Sequence, residues 1–167
     1  MSEHRISLSQ AEKDKLFYCV TTIVVFRESD QRCLILKRSD KDSVYPSKWA
    51  LPGGRLSWND FDLENPDTQS DGVLNFNHPI ENHVGVVVKE KAGIVVGNRP
   101  QYLESVFFVR SDGTPSVLVR FAVNYQEGEV KPTGGFVDFA WVNAEEINTY
   151  EHIEGINVDI LKTIKLF

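Results

Sequence analysis

The chain has 167 residues, of which 41% are hydrophobic, 25% charged and 11% aromatic, a composition typical of a globular domain and not of a disordered or disulfide-rich protein. Its 24 acidic and 18 basic residues give a net charge of −6, and no run of Lys or Arg is present, so we expect no binding to duplex nucleic acid. A small phosphorylated ligand stays compatible with this charge, because one local group of donors or a metal is enough to bind it.

From the sequence we expect neither a membrane span nor a secretion signal. No apolar run reaches the about 18 residues that span a bilayer, and the first ten residues show no basic segment followed by an apolar one. We therefore expect a cytoplasmic protein without membrane contact. Cys19 and Cys33 both lie in strand-like apolar runs, which favours two reduced thiols over a disulfide or a metal pair.

The N-terminal part predicts a short helix followed by two paired strands. Ser9 to Glu12 form a capping-box pattern, which predicts a helix over roughly 9–16 within an N-terminal extension, residues 1–16. The β-branched and aromatic run Phe17–Phe26 predicts a central strand, and Arg32–Lys37 predicts its antiparallel hairpin partner.

Residues 58–78 form the longest stretch without a long predicted element. They carry five acids and neither Lys nor Arg, and a short strand is expected near Gly72–Phe76. A loop of this length inside a compact domain is usually functional or mobile. We interpret it as an acidic surface insert, with a lid over a substrate as the alternative.

The next segment, Pro79–Ala92, predicts a helix. Proline is favoured in a first helical turn, the apolar residues recur at helical spacing, and Gly93 is a typical helix stop. The three consecutive valines 86–88 leave a strand as the alternative.

The C-terminal half predicts a second hairpin, a further strand and two helices. The hairpin strands are Tyr102–Arg110 and Val117–Tyr125, and Phe136–Val142 is the further strand. A short capped helix is expected from Asn143, and an amphipathic helix over Ile156–Leu166. This order predicts one α/β or α+β domain over residues 1–167 with a mixed, largely antiparallel sheet.

Adjacent glycines at Gly53 and Gly54 are the first candidate for a binding site. Glycines permit a positive φ and let backbone N–H groups approach phosphate oxygens. A tight turn without a ligand explains the same pair.

The residues around this pair carry a resemblance to a known family. Lys48-Trp-Ala-Leu-Pro-Gly-Gly-Arg-Leu56, after a strand that ends at Arg38, resembles the entry to the Nudix box of Nudix hydrolases, whose signature is G-x5-E-x7-R-E-U-x-E-E-x-G-U, where U is aliphatic. Val119–Glu129 resembles the family's later strand and turn, and Asp138–Ile147 its last strand-to-helix junction. The resemblance spans about residues 17–165 and implies an α/β/α sandwich.

The catalytic part of the box is degenerate. Counting from Gly54, the first acidic position falls on Asp60, and the helix is matched backwards from its terminal glycine. Glu90 then fits one glutamate of the signature, whereas Val87 and Lys91 replace the other two. Most of the acidic insert lies between Asp60 and this helix.

The resemblance implies a hydrolase that cleaves the pyrophosphate bond of a nucleoside diphosphate derivative with Mg²⁺ or Mn²⁺. It assigns catalysis and metal binding to Glu90 and Asp60. We expect substrate binding by Gly53, Gly54, Arg55, Arg38 and Lys91: Arg38 matches a family position that contacts the nucleotide, whereas Arg55 and Lys91 are chosen because their positive charges suit phosphate. A homodimer fits the family tendency.

Three interpretations stay open at this point, because the face made by positions 87, 90 and 91 offers only one carboxylate. The first is an enzyme with fewer metals, which draws donors from the remaining candidates, namely Asp62, Glu64, Asp67, Asp71, Glu104, Asp138 and His83. The second is a domain that has lost catalysis and binds a nucleotide or a protein partner. The third is a metal site built differently, with the helix matched in another register.

Overall fold

The structure is a computed structural model that describes residues 6–167. Within these residues the chain forms ten strands and two α-helices. The strands are β1 (Tyr18–Arg27), β2 (Arg32–Arg38), β3 (Trp49–Ala50), β4 (Gly53–Arg55), β5 (Thr68–Ser70), β6 (Val73–Asn75), β7 (Val95–Val96), β8 (Gln101–Val109), β9 (Pro115–Glu127) and β10 (Phe136–Val142). The helices are α1 (Pro79–Ala92) and α2 (Ile156–Leu166).

Eight of these strands form one mixed sheet with the path β10-β2-β1-β9-β7, to which β3, β4 and β8 add beside β2, β1 and β9. Strands β1 and β9 pair in parallel along their length, from Tyr18 opposite Ser116 to Phe26 opposite Asn124. The remaining pairings of the described sheet are antiparallel. The two predicted hairpins, β1 with β2 and β8 with β9, are therefore confirmed.

Strand β1 shows how the sheet comes to have a helix on each face. Side chains alternate between the faces of a strand. Ile23 and Val25 belong to the cluster that contains α1, whereas Val24 and Phe26 belong to the cluster that contains α2. The predicted α/β/α sandwich is confirmed.

Helix α1 has the predicted bounds. It begins after His78, which adopts a left-handed conformation, and ends at Gly93, whose φ of 74° suits a glycine. Val87 and Val88 are buried, while Val86 is 54% exposed, so the valine run follows a helical and not a strand pattern.

The N-terminal helix prediction over 9–16 is wrong. The described part of this segment forms two separate 3-10 turns, Leu8–Gln10 and Lys13–Lys15, and neither turn buries a residue. A short helix without tertiary packing is unstable, so the capping-box pattern has nothing to stabilise. Residues 1–5 of the predicted extension lie outside the described residues.

The acidic insert contains more structure than a loop. Trp58–Asp60 form a 3-10 turn, and β5 pairs with β6 in a small hairpin that includes the strand predicted near Gly72–Phe76. The Phe61 and Phe76 rings lie 5.3 Å apart, so the two ends of the insert are joined by an aromatic contact.

The short helix expected from Asn143 is a 3-10 helix over Glu146–Thr149. Asn143 Oδ1 accepts hydrogen bonds from the Glu145 and Glu146 amides, so the capping part of the prediction is confirmed. Both cysteines are free, and burial raises the pKa of Cys33 to about 12. No helix within the described residues is long and apolar enough to cross a membrane.

Candidate functional site

Two clefts meet at strand β4. The first, called the α1 cleft, has a volume of about 570 Å³ and lies between β4, the acidic insert and α1. The second, called the α2 cleft, has a volume of about 350 Å³ and extends from β4 towards α2. Gly53, Gly54 and Arg55 line both clefts.

The two glycines of β4 are required by close packing. A Cβ on Gly54 would lie 2.8 Å from Val87 Cγ2, and a Cβ on Gly53 would lie 2.5 Å from the Thr21 carbonyl oxygen. Neither glycine is among the residues with a positive φ. The backbone of β4 therefore passes close to β1 and α1, and the conformational freedom expected of this pair is not used.

His83 lies beneath β4 on the α1 side. Its Nε2 is 3.0 Å from Thr21 Oγ1, and the ring is buried. Burial lowers the pKa of His83, while Asp60, the Gly54 carbonyl and Glu90 oppose this effect. The imidazole therefore favours its neutral form, as expected of a structural hydrogen-bonding residue.

Asp60 is held at the rim of the α1 cleft by a capping box. Its Oδ2 accepts a hydrogen bond of 2.9 Å from the Ser57 amide, and Ser57 Oγ accepts one of 3.2 Å from the Asn59 amide. The exposed Asp60 carboxylate thus orders the start of the acidic insert and faces the α1 cleft with one oxygen already engaged.

Glu90 and Lys91 are held from the last turn of α1 by the loop before β10. The Thr133 amide donates to the Lys91 carbonyl at 3.0 Å, and the Thr133 hydroxyl donates to the Glu90 carbonyl. A Cβ on Gly134 would lie 2.7 Å from Lys91 Nζ, so the ammonium group lies directly against this loop. Both side chains line the α1 cleft.

The two candidate arginines lie in different surroundings. Arg55 is exposed, with its guanidinium carbon 4.9 Å from the centre of the Tyr18 ring. Arg38 lines only the α2 cleft, where it donates to the Val44 carbonyl at 2.9 Å and lies 2.6 Å from the Asp42 carboxylate. The structure therefore brings six of the seven predicted site residues to the α1 cleft and leaves Arg38 out of it.

Several solved structures share this architecture. The chain is similar to a MutT protein from Methanosarcina mazei Go1 (20% identity, TM-score 0.61, 93% of this chain and 98% of that one) and to the Nudix domain of Shewanella oneidensis NrtR complexed with ADP ribose (17% identity, TM-score 0.65, 95% of each chain). It is also similar to a C. elegans Ap4A hydrolase in a binary complex (14% identity, TM-score 0.58, 89% of this chain and 96% of that one).

The chain has the Nudix hydrolase fold. At these identities the likeness concerns the fold. No protein-family model matches the sequence, and no curated protein sequence matches it.

The described side chains supply only some of the carboxylates that the family signature would place at a metal site. Residues 6–167 contain no group of three or more His, Cys, Asp or Glu side chains that could hold a metal ion by themselves. Asp60 and Glu90 do line one cleft, together with Asp62 and Asp67 from the insert. Mg²⁺ is commonly held by one or two carboxylates together with substrate phosphates, and this donor set fits a metal bound in that way.

Four of the other carboxylates considered from sequence lie outside the lining of the α1 cleft: Glu64, Asp71, Glu104 and Asp138. Glu104 is engaged by Arg120 and Lys162, and the Asp138 carboxylate accepts a hydrogen bond from the Phe139 amide. These two acids therefore have structural partners.

Sequence reasoning missed Thr22, Arg120 and Asp159 of the α2 cleft. Asp159 is 2% exposed, and its Oδ2 lies 3.4 Å from Arg120 Nε. Burial raises the pKa of Asp159, and the charge of Arg120 opposes this rise. Position 159 falls on the apolar face of α2 with Ile156, Ile160 and Thr163, so an acid on a core-facing position was the signal available in the sequence.

Proposed function

We propose that this chain is a Nudix-type hydrolase that cleaves the pyrophosphate bond of a nucleoside diphosphate derivative with the help of Mg²⁺ or Mn²⁺. The observation that carries the proposal is that two carboxylates, Asp60 and Glu90, share the α1 cleft with two cationic side chains, Arg55 and Lys91. Cations to bind phosphate and carboxylates to bind a divalent ion are the two components that this reaction needs.

Each of these residues has a role that follows from its chemistry. Gly53 and Gly54 contribute backbone to the lining of the cleft, and backbone N–H groups can bind phosphate oxygens. Arg55 and Lys91 offset the negative charge of the diphosphate, Arg55 as a planar fork of donors and Lys91 as a compact charge. Neutral His83 keeps Thr21 and β4 in place from below.

Asp60 and Glu90 would hold the divalent ion jointly with the phosphates. When bound, such an ion withdraws charge from the phosphate and lowers the pKa of its water. Two of the similar structures support the ligand class, since one is described as a complex with ADP ribose and another as an Ap4A hydrolase.

The test is phosphate-bond cleavage across a panel of nucleoside diphosphate derivatives and triphosphates, in Mg²⁺, Mn²⁺ and EDTA. We expect turnover in metal, none in EDTA, and a loss of about 100-fold or more in kcat for Glu90→Gln and Asp60→Asn. Glu28→Gln, in the turn after β1, is the matched control and should retain full activity. Absence of turnover from folded protein in every condition would contradict the proposal.

A second function, ligand binding without turnover, is favoured by a specific observation. Val87 is 5% exposed because it packs against Gly54, and in the match predicted from sequence Val87 and Lys91 replace two glutamates of the Nudix box. A binding domain of this kind should keep its affinity for nucleoside diphosphates in EDTA and lose it in Lys91→Glu. Affinity that disappears in EDTA would instead support the metal-dependent enzyme.

A further inference from the structure

The α2 cleft contains two buried polar atoms that the fold does not satisfy. Among the described residues, Asp159 Oδ1 and Thr22 Oγ1 have no hydrogen-bond partner, and both residues line this cleft. Leaving buried polar atoms unpaired costs free energy, so such atoms in a native fold call for an explanation. A ligand that supplies the missing hydrogen-bond partners is one explanation, and the location of both residues at one cleft supports it.

Asp159 is fixed in its position by a chain of charges. Arg120 lies between the Glu104 and Asp159 carboxylates, and Lys162 lies 2.7 Å from the other Glu104 oxygen. The two cations and two anions of this chain balance each other. Arg120 engages Oδ2 of Asp159, which leaves Oδ1 as a fixed acceptor beside the cleft.

Apart from Arg38, Arg55 and Glu154, the rest of the cleft is largely apolar, which suits an uncharged ring. Its walls include Leu51, Leu118, Phe136 and Ile156, which provide apolar surface on several sides. Because the charges around Asp159 are already balanced, a cationic group has no net attraction to this cleft, whereas a neutral N–H donor gains a hydrogen bond to a carboxylate.

We propose that the α2 cleft selects a heteroaromatic base that carries an exocyclic amino group, with Asp159 as the specificity-determining acceptor. This inference rests on the proposed function, because the diphosphate of the same ligand would lie along β4, which both clefts share. A base with a carbonyl group at the same place would bring two acceptors together and bind more weakly.

The test is isothermal titration of the full chain with ADP, CDP and GDP, which carry amino groups, and with IDP and UDP, which do not. Titrations in EDTA and in Ca²⁺ measure binding without the Mg²⁺ or Mn²⁺ of the proposed reaction. We expect the amino-bearing nucleotides to bind about tenfold or more tightly than the other two, the range of a hydrogen bond to a charged group.

Asp159→Asn makes the test specific. In this variant the amide oxygen takes the place beside Arg120, so the amide nitrogen presents donors where the wild type presents an acceptor. The preference should therefore reverse in favour of IDP and UDP, a result that a purely structural role of Asp159 would not produce. Glu154→Gln is the matched control, since Glu154 is an exposed carboxylate of the same cleft, and it should leave the preference unchanged.

Thr22→Val covers the case in which Asp159→Asn does not fold. The variant removes an unpartnered hydroxyl, so the ligand-free protein should keep its melting temperature while nucleotides bind about fivefold more weakly and inorganic pyrophosphate is unaffected. Equal binding of amino and carbonyl bases, with no change in Asp159→Asn or Thr22→Val, would overturn the inference alone. Failure of every nucleotide and of pyrophosphate to bind would overturn the proposed function, and this inference with it.

Discussion

Val87 of α1 packs directly onto Gly54 of β4, so that even a methyl group added to the glycine would lie 2.8 Å from Val87 Cγ2. This contact joins the helix that carries Glu90 to the strand that lines both clefts. It also places an apolar side chain, 5% exposed, at a position where the match predicted from sequence puts a carboxylate of the Nudix signature. In the proposed metal site, position 87 therefore contributes to packing and supplies no carboxylate.

Gly54→Ala should destabilise the protein by about 1–3 kcal/mol, because the added methyl group overpacks a well-filled contact. Urea unfolding monitored by circular dichroism measures the effect. Gly85→Ala is the control from α1 itself: nothing lies within 4 Å of a Cβ there, so removing a helical glycine should stabilise the fold by roughly 0.5–1 kcal/mol. An unchanged free energy of unfolding in Gly54→Ala would show that α1 and β4 are less closely packed than the 2.8 Å approach requires.

The stability of the protein should fall as the pH decreases from about 6.5 towards 5, in part through His83. The pKa of His83 is lowered in the folded state, so the unfolded chain takes up the proton first as the pH falls. The neutral ring therefore contributes its full stabilisation above the pKa of the unfolded state. This contribution is lost as the pH falls through the pKa of the folded state. Thermal unfolding across this range should show a weaker pH dependence in His83→Gln. A direct NMR titration of the ring that gives a pKa above the ordinary value would contradict the structure.

Lys91→Glu should strengthen binding of Mn²⁺ about tenfold, because it replaces a repelling ammonium group by a second carboxylate beside Glu90. Titration of the metal followed by electron paramagnetic resonance measures this change without any substrate. Lys89→Glu is the control, since Lys89 is exposed on α1 and does not line the α1 cleft. An equal gain in both variants would point to a general charge effect and not to a site at Glu90.

Arg120→Met should cost about 3 kcal/mol or more, because it leaves the buried Asp159 carboxylate without a counter-charge. Burial already raises the pKa of Asp159, and loss of Arg120 removes the main opposing charge. The variant should therefore regain stability as the pH is lowered through this raised pKa, since the folded state then binds the proton more readily. The double variant with Asp159→Asn should recover much of the loss at neutral pH, and strict additivity of the two changes would argue against their pairing.

The parts of the fold that were predictable from sequence are those in which a local pattern coincides with burial. In the strand run Phe17–Phe26 and the helix Pro79–Ala92, the apolar residues that predict the element are also residues that it buries in the core. Both hairpins follow from short turns between such runs. The segment 9–16 shows the opposite case, because a capping pattern whose few apolar residues are not packed into the core does not produce a helix.

The α1 cleft was largely predictable because the residues that line it belong to one motif, even in degenerate form. The α2 cleft was not, because Thr22, Arg120 and Asp159 come from β1, β9 and α2 and meet only through the parallel pairing of β1 with β9 and the packing of α2. The spacing of these three residues along the chain does not predict that they lie together in the fold. A lone acid on the apolar face of a helix was the one available hint.

Three residues of β4 are common walls of two clefts, and this has a practical consequence for chemical probes. Two weak fragments, an anionic one in the α1 cleft and a flat donor-bearing one in the α2 cleft, would approach each other at Gly53–Arg55. A short linker across this strand would turn the second binding event into an intramolecular one, with an effective concentration of the order of millimolar. Because both ends contact the same short strand, substitutions at Gly53 or Gly54 that weaken such a compound would also disturb the contacts of β4 with β1 and α1.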